Sequence, residues 1–320
     1  MRVSLNTRVL SIFGLLVLLY LIFRSGVGSI VPILLDLKME YVLISIAIIP
    51  VIIYLKGYKW NLIMRAHGMD YSTAYASKVW LIGLFTGTFT PGRVGDVVRI
   101  FYVGGGKSAG KPLSTVLLDR VYDIGALLLI SCFGGVMIFY WFEMAMSMIF
   151  FAVLVFVFGL YLVSNKGIVR KVLRPVFVRF IPVSMKSKLK LNFNEFYEGF
   201  YLFAKNRGVV AGVAMLTVAL WLVSIMQEYM LVMALGLEGQ VSIYYLVAIS
   251  PIVTILTLLP ISVSGIGPRD VSMIYFFSLV GAASEYAISF SILLLLLYWA
   301  YTAVGGVVWL FYPRKIKISF

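Results

Sequence analysis

The sequence is short of the groups that soluble enzymes use for chemistry. Its one cysteine, Cys132, excludes an internal disulfide. Its one histidine, His67, leaves no Cys/His set for zinc and no Ser-His-Asp arrangement, and it reads as an ordinary inner-loop residue. Charge is scarce: 12% of the 320 residues are charged, about half of what a soluble domain carries. Acids are scarcer still, with 13 Asp and Glu against 27 Lys and Arg. GGGKSAGK at 104–111 looks like a phosphate loop at a glance. Pro112 stands where that loop needs Ser or Thr, and no strand precedes it, so nucleotide binding is not expected. No small-residue cleavage site follows the apolar stretch 9–23, which reads as a retained first span rather than a signal peptide. No cofactor, no metal and no catalytic residue set is expected, and the chain reads as transporter-like rather than enzymatic.

What is present is apolar bulk. Hydrophobic residues make up 62% of the chain. The runs 124–142, 144–164 and 286–312 carry no charge, and each reaches or approaches the roughly 20 residues that cross a bilayer. The fold class is therefore all-α, a polytopic membrane protein in a single domain, 1–320. The net charge of +14 is explained by basic loops that fix helices with their cytoplasmic ends inside, and nucleic acid is not an expected partner. Charge also gives the sidedness. The expectation is about six full spans with both termini cytoplasmic. The loop 24–40 is outside, 41–55 is a short second span kinked at Pro50, and 56–78 is an inner segment. A turn at Glu143 is outside, and the basic segment 165–207 is inside. Within that segment Leu189, Phe193, Phe196, Phe200 and Phe203 form one apolar helical stripe. It suits a helix lying in the inner interface or an ordinary packed amphipathic helix.

Two breaks interrupt the apolar pattern. One is TFTPGRVGDVVR at 88–99, the other LPISVSGIGPRD at 259–270. Each sets Pro, Gly, Arg and Asp in the middle of membrane-like sequence. Such a break survives only where the backbone is buried in protein or lines a wet cavity. The expectation is two re-entrant hairpins, about 79–103 and about 243–284, entering from opposite faces and meeting near the midplane, a layout typical of transporters. On this layout only Arg24 and Lys38 lie outside. Arg93, Arg99, Arg120 and Arg269 are left in or beside the membrane, where ionisable residues mark function.

In the second break, Gly265 and Gly267 permit unusual backbone shapes, and Pro268 suits the first turn of a helix. The free N–H groups from Ser264 to Gly267, with Arg269, would make an anion site at a helix N-terminus. In the first break Arg93 and Arg99 flank Asp96, a candidate N-cap. The candidate ligands for a lipid phosphate are thus Arg93, Arg99, Arg269, Ser264, Gly265 and Gly267. Asp96, Asp119, Arg120, Asp123, Glu228 and Asp270 form a candidate charge or coupling network. Asp119 and Asp123 share a helix face and call for a cation, such as Arg93 or Arg99. A purely structural pairing, Arg93 with Asp96 and Arg269 with Asp270 or Asp96, is compatible with the same residues.

The segments TPGRVGDVVRIFYV, LLDRVYDIGALLL and LLPISVSGIGPRDVSMIYFF together resemble the membrane domain of the lysylphosphatidylglycerol synthase family, a flippase-like group. Pro91, Gly92, Arg93, Gly95, Asp96 and Arg99 match its first motif. Asp119, Arg120 and Asp123 match its second, and Pro260, Ser262, Gly267, Arg269 and Asp270 its third. Asp stands at 96 and 270 where Glu is commoner, and eight residues follow Tyr312 where full-length synthases carry a soluble aminoacyl-transfer domain. The resemblance implies translocation of an anionic phospholipid or a polyprenyl-phosphate-linked lipid in the cell membrane. The rival reading is a membrane enzyme or assembly partner in lipid-linked glycan or headgroup synthesis. A lipid-modifying or glycosyl-transferring enzyme is the protein partner either reading would serve.

Overall fold

A computed structural model describes residues 27–103, 109–137, 183–258 and 265–312, with scattered residues near 20–23 and 150–168. The expected first span 9–23, the turn at Glu143, most of 144–164 and 165–182, and the stretch 259–264 with Ser264 lie outside the described residues. Every regular element among the described residues is helical. In chain order these are α1 (Val27–Leu35), α2 (Met39–Ala47), α3 (Ile49–Ala66) and α4 (Thr73–Thr88). A 3-10 segment (Pro91–Phe101) follows, then α5 (Gly110–Met137), α6 (Val183–Lys205), α7 (Arg207–Ala234), α8 (Ile243–Leu258), α9 (Pro268–Leu279) and α10 (Ser284–Phe311).

Among the described residues, three helical units are long and apolar enough to cross a membrane, each of 28 residues: Met39–Ala66, Arg207–Ala234 and Ser284–Phe311. The first joins α2 and α3 through Ile48. Pro50 sits in the first turn of α3, where its missing N–H costs nothing. The second span is therefore longer than the 41–55 read from hydropathy. It runs on through Lys56 and Lys59, which belong to the helix and not to a loop. Their charge is tolerated because both ammonium groups meet carboxylates of α5 (below). At 28 residues α5 also has the length of a span, and it carries Asp119, Arg120 and Asp123 on one continuous helix.

The long helices run antiparallel, which gives the bundle two ends. At one end Lys38 pairs with Glu238 at 3.0 Å and the Lys38 N–H donates to the Ala234 carbonyl. At the other Lys78 Nζ donates to Tyr312 Oη at 2.8 Å, and Lys111 pairs with Glu198 at 3.2 Å. The apolar stripe of α6 turns inward there. Phe203 is buried with Ile63, Leu118 and Val213, and Gly199 lies against His67 and Ser114.

Both breaks fold the chain back on itself. After α4 the backbone reverses through Gly92 (φ 59°) and Arg93 (φ 55°), the latter a left-handed conformation uncommon outside glycine. The 3-10 segment then returns along α4. Thr86 Oγ1 donates to the Gly95 carbonyl at 2.9 Å, and the Gly95 N–H donates to Thr90 Oγ1 at 2.7 Å. Gly95 is required here, because a Cβ would overlap the Thr86 carbonyl. The second reversal joins α8 to α9. Tyr245 Oη donates to the Phe276 carbonyl at 2.5 Å, and Gly265 (φ 73°) sits against Thr257. The first hairpin starts at the Tyr312 end of α10, the second at its Ser284 end. Arg93 of the first reaches that helix at Tyr298, and Arg269 of the second reaches it at Ser291.

Candidate functional site

Between Arg93 and Arg269 the helices leave a cavity of about 210 Å³. It is lined from both hairpins and from α3, α5, α7 and α10. Of the residues singled out from sequence, Arg93, Asp96, Arg120, Asp123, Glu228 and Arg269 line it. Arg99, Asp119, Asp270, Gly265 and Gly267 do not.

One wall is a buried charge network. Asp119 takes Lys59 Nζ at 2.7 Å and Arg99 Nη1 at 2.9 Å. Asp123 Oδ1 takes Lys56 at 3.0 Å, Lys59 at 2.8 Å and the indole N–H of Trp221 at 3.2 Å. Asp96 meets Arg120 and, more loosely, Arg99 Nη2 at 3.8 Å. Lys59 and Arg99 are fully buried. Arg99 also lies over the Trp60 ring at 4.9 Å, behind the cavity wall.

The network is not balanced. Lys56, Lys59, Arg93, Arg99 and Arg120 face Asp96, Asp119 and Asp123, which leaves two positive charges over. Arg93 is the half-buried end of that excess. No carboxylate among the described residues is in ion-pair range of it, and the expected Arg93–Asp96 pair does not form. The guanidinium instead stacks on Tyr298, 5.0 Å from the ring centroid. Tyr298 Oη is held by Thr88 Oγ1 at 2.9 Å.

The second hairpin contributes a closed unit. Arg269 Nη2 meets Asp270 Oδ1 at 2.7 Å, its Nε donates to Ser291 Oγ at 2.9 Å, and Ser291 bonds Asp270 in turn. The pairing of Arg269 with Asp270 expected on structural grounds is present. Of the expected nest, the Gly267 N–H is taken: it donates to Asp270 Oδ2 at 2.7 Å. Asp270 itself fills the helix N-terminus, where the dipole favours a carboxylate. Nor is Asp96 an N-cap: the helical turn resumes directly after Arg93, and Asp96 lies inside it.

Away from the network, Glu228 on α7 accepts from Ser250 Oγ on α8. No cation among the described residues is in ion-pair range of it. Beside it Gln227 ties Ser45 to Tyr301: Nε2 donates to the Ser45 carbonyl at 2.7 Å and Oε1 accepts from Tyr301 Oη at 2.9 Å.

Lys56, Lys59, Trp221 and Tyr298 escaped the sequence reading. The two lysines stand at i,i+3, one helical turn apart, in an otherwise apolar stretch, a signal for a buried face that their nearness to basic residues obscured.

The model of the lysylphosphatidylglycerol synthase TM region matches residues 9–305. Among relatives, a UPF0104 membrane protein of Pyrococcus horikoshii is 22% identical, with 97% of this chain and 98% of that one covered. A UPF0104 membrane protein of Methanocaldococcus jannaschii is 25% identical over 97% of this chain and 96% of its own. No solved structure matches. With nearly its whole length matched, the chain belongs to the family of the lysylphosphatidylglycerol synthase transmembrane region.

Proposed function

We propose that this is a multi-pass protein of the cell membrane that moves an anionic lipid between leaflets. The headgroup phosphate enters the cavity between the hairpins and is met by Arg93 and Arg120. The acyl or prenyl tails stay in the bilayer. The observation that carries the reading is the charge excess ending at Arg93, a guanidinium stacked on Tyr298 with no carboxylate in range among the described residues. An uncompensated positive cluster at membrane depth is costly, and an anion relieves it. Arg93 and Arg120 are near enough to repel each other, and a phosphate between them turns that repulsion into attraction. Two folded-back segments reaching mid-helix from opposite ends suit re-entrant hairpins, with the Lys38–Glu238 end outside and the Lys78–Tyr312 end inside.

The test is transbilayer movement of labelled lipids in proteoliposomes, with phospholipid and polyprenyl phosphate assayed separately. Arg93→Ala is expected to slow protein-dependent movement about 10- to 100-fold, the loss of one charge-assisted hydrogen bond of ~1.5–3 kcal/mol. Arg93→Lys is expected to recover only part of it, because an ammonium neither forks around a phosphate nor stacks as flatly on Tyr298. Unchanged movement in a folded Arg93→Ala protein would refute the role.

A further inference from the structure

The cavity has a second pole. Glu228 lies on α7 with Ser224 four residues before it, so the two share a face. Ser250 and Thr254 share a face of the adjoining α8 in the same way. All four line the cavity. Their hydrogens are already spent. Ser224 Oγ donates to the Leu220 carbonyl at 2.9 Å, Thr254 Oγ1 to the Ser250 carbonyl at 2.9 Å, and Ser250 Oγ to Glu228. Thr257, one turn further along α8, donates to the Thr254 carbonyl at 2.6 Å. A hydroxyl whose hydrogen is committed to its own helix offers only lone pairs to whatever lies beside it. These side chains thus offer acceptors to the cavity beside the Glu228 carboxylate. Among the described residues, no Lys or Arg comes within ion-pair range of Glu228.

Oxygen acceptors gathered around a single carboxylate are what a hard cation recognises. From this geometry we infer that Glu228, Ser224, Ser250 and Thr254 bind a small monovalent metal cation, of which sodium is the probe. The inference deepens the lipid reading and rests on it for its meaning. The anion sits at the Arg93 pole, the cation at the Glu228 pole, and the two cross the low-dielectric interior as a neutral load. The binding site itself stands without that reading.

The experiment measures the cation alone, so that it does not depend on lipid movement. The full-length protein, purified in detergent, is melted in rising sodium chloride with choline chloride holding ionic strength constant. Wild type is expected to gain a few degrees in midpoint with sodium and nothing with choline, because a ligand that binds only the folded state stabilises it. Glu228→Gln keeps the shape of the side chain and is expected to lose the gain entirely. Thr254→Val, which removes one acceptor, is expected to need several-fold more sodium for the same gain. A wild-type midpoint indifferent to sodium overturns the proposal, as does an equal gain in Glu228→Gln. If sodium stabilises wild type but the reconstituted protein moves no lipid, the cation site stands and the lipid reading falls.

Discussion

A single side chain can decide whether a buried charge is an asset or a fault, and Asp119 is the clearest case. It holds Lys59 at 2.7 Å and Arg99 at 2.9 Å, and both cations are fully buried. Asp119→Asn removes the negative charge and leaves both cations in place. Lys59 keeps Asp123, but the one carboxylate left to Arg99 among the described residues is Asp96, at a looser 3.8 Å. Stranding one member of a buried pair costs roughly 3–5 kcal/mol, and the thermal midpoint of Asp119→Asn should fall accordingly. Glutamate at the same position should cost less, since the charge remains and only the reach changes. Most of these acids could be picked out in the sequence because Asp and Glu are rare there. Their partners could not: Lys59 and Asp119 lie sixty residues apart, and nothing local joins them. Tyr298 and Trp221 look like any aromatic of an apolar helix until the fold sets a guanidinium and a carboxylate beside them.

At the scale of the element, the two hairpins obey the same rule by different means. The second is closed by charge, with Asp270 capping α9 and gripping Arg269. The first is closed by backbone contact, through a glycine that lets the 3-10 segment lie flat on α4. Gly95→Ala is therefore expected to split the first hairpin. Its Cβ would overlap the Thr86 carbonyl and come within 2.8 Å of the Gly87 nitrogen, both backbone atoms that cannot swing aside. Overpacking of this kind costs about 1–3 kcal/mol. Gly212→Ala is the control. It lies inside α7 with nothing within 4 Å, and alanine there should be neutral or stabilising by up to ~1 kcal/mol. Melting the two variants side by side separates the loss of a close approach from any general effect of added bulk. The positions of both breaks were legible, because Pro, Gly and Arg are out of place in an apolar run. What closes each one was not. The Gly267 N–H, expected to help form an anion nest, is taken by the chain's own Asp270, a contact that depends on the path of the turn rather than on its composition.

At the scale of the whole molecule, hydropathy and charge made the long helices and the apolar stripe of α6 legible. They missed that α6 is tied to the bundle through His67, which they left in a loop. The ring is 2% exposed. Its Nδ1 lies 2.8 Å from the Ile63 carbonyl, its Nε2 has no partner among the described residues, and Gly199 and Phe203 of α6 close over it. Burial first, and then the positive charge of Lys111, hold its pKa below the ordinary value of 6.5, with the Ile63 carbonyl opposing them. The folded state therefore prefers the neutral ring, while the unfolded chain takes up a proton more readily. Stability from this group is complete above about pH 6.5 and is lost as the pH falls below it. The cost is felt where α6 meets α3 and α5, since a charged ring cannot stay between Gly199 and Phe203 without a partner for Nε2. Wild type should lose thermal stability from about pH 6.5 to 5, with Phe203 and its surroundings exposed first to proteolysis or exchange. His67→Gln cannot take up the proton, and its midpoint should run flatter through the same range. Parallel slopes in the two proteins would remove His67 as the cause and place the acid sensitivity in carboxylates elsewhere.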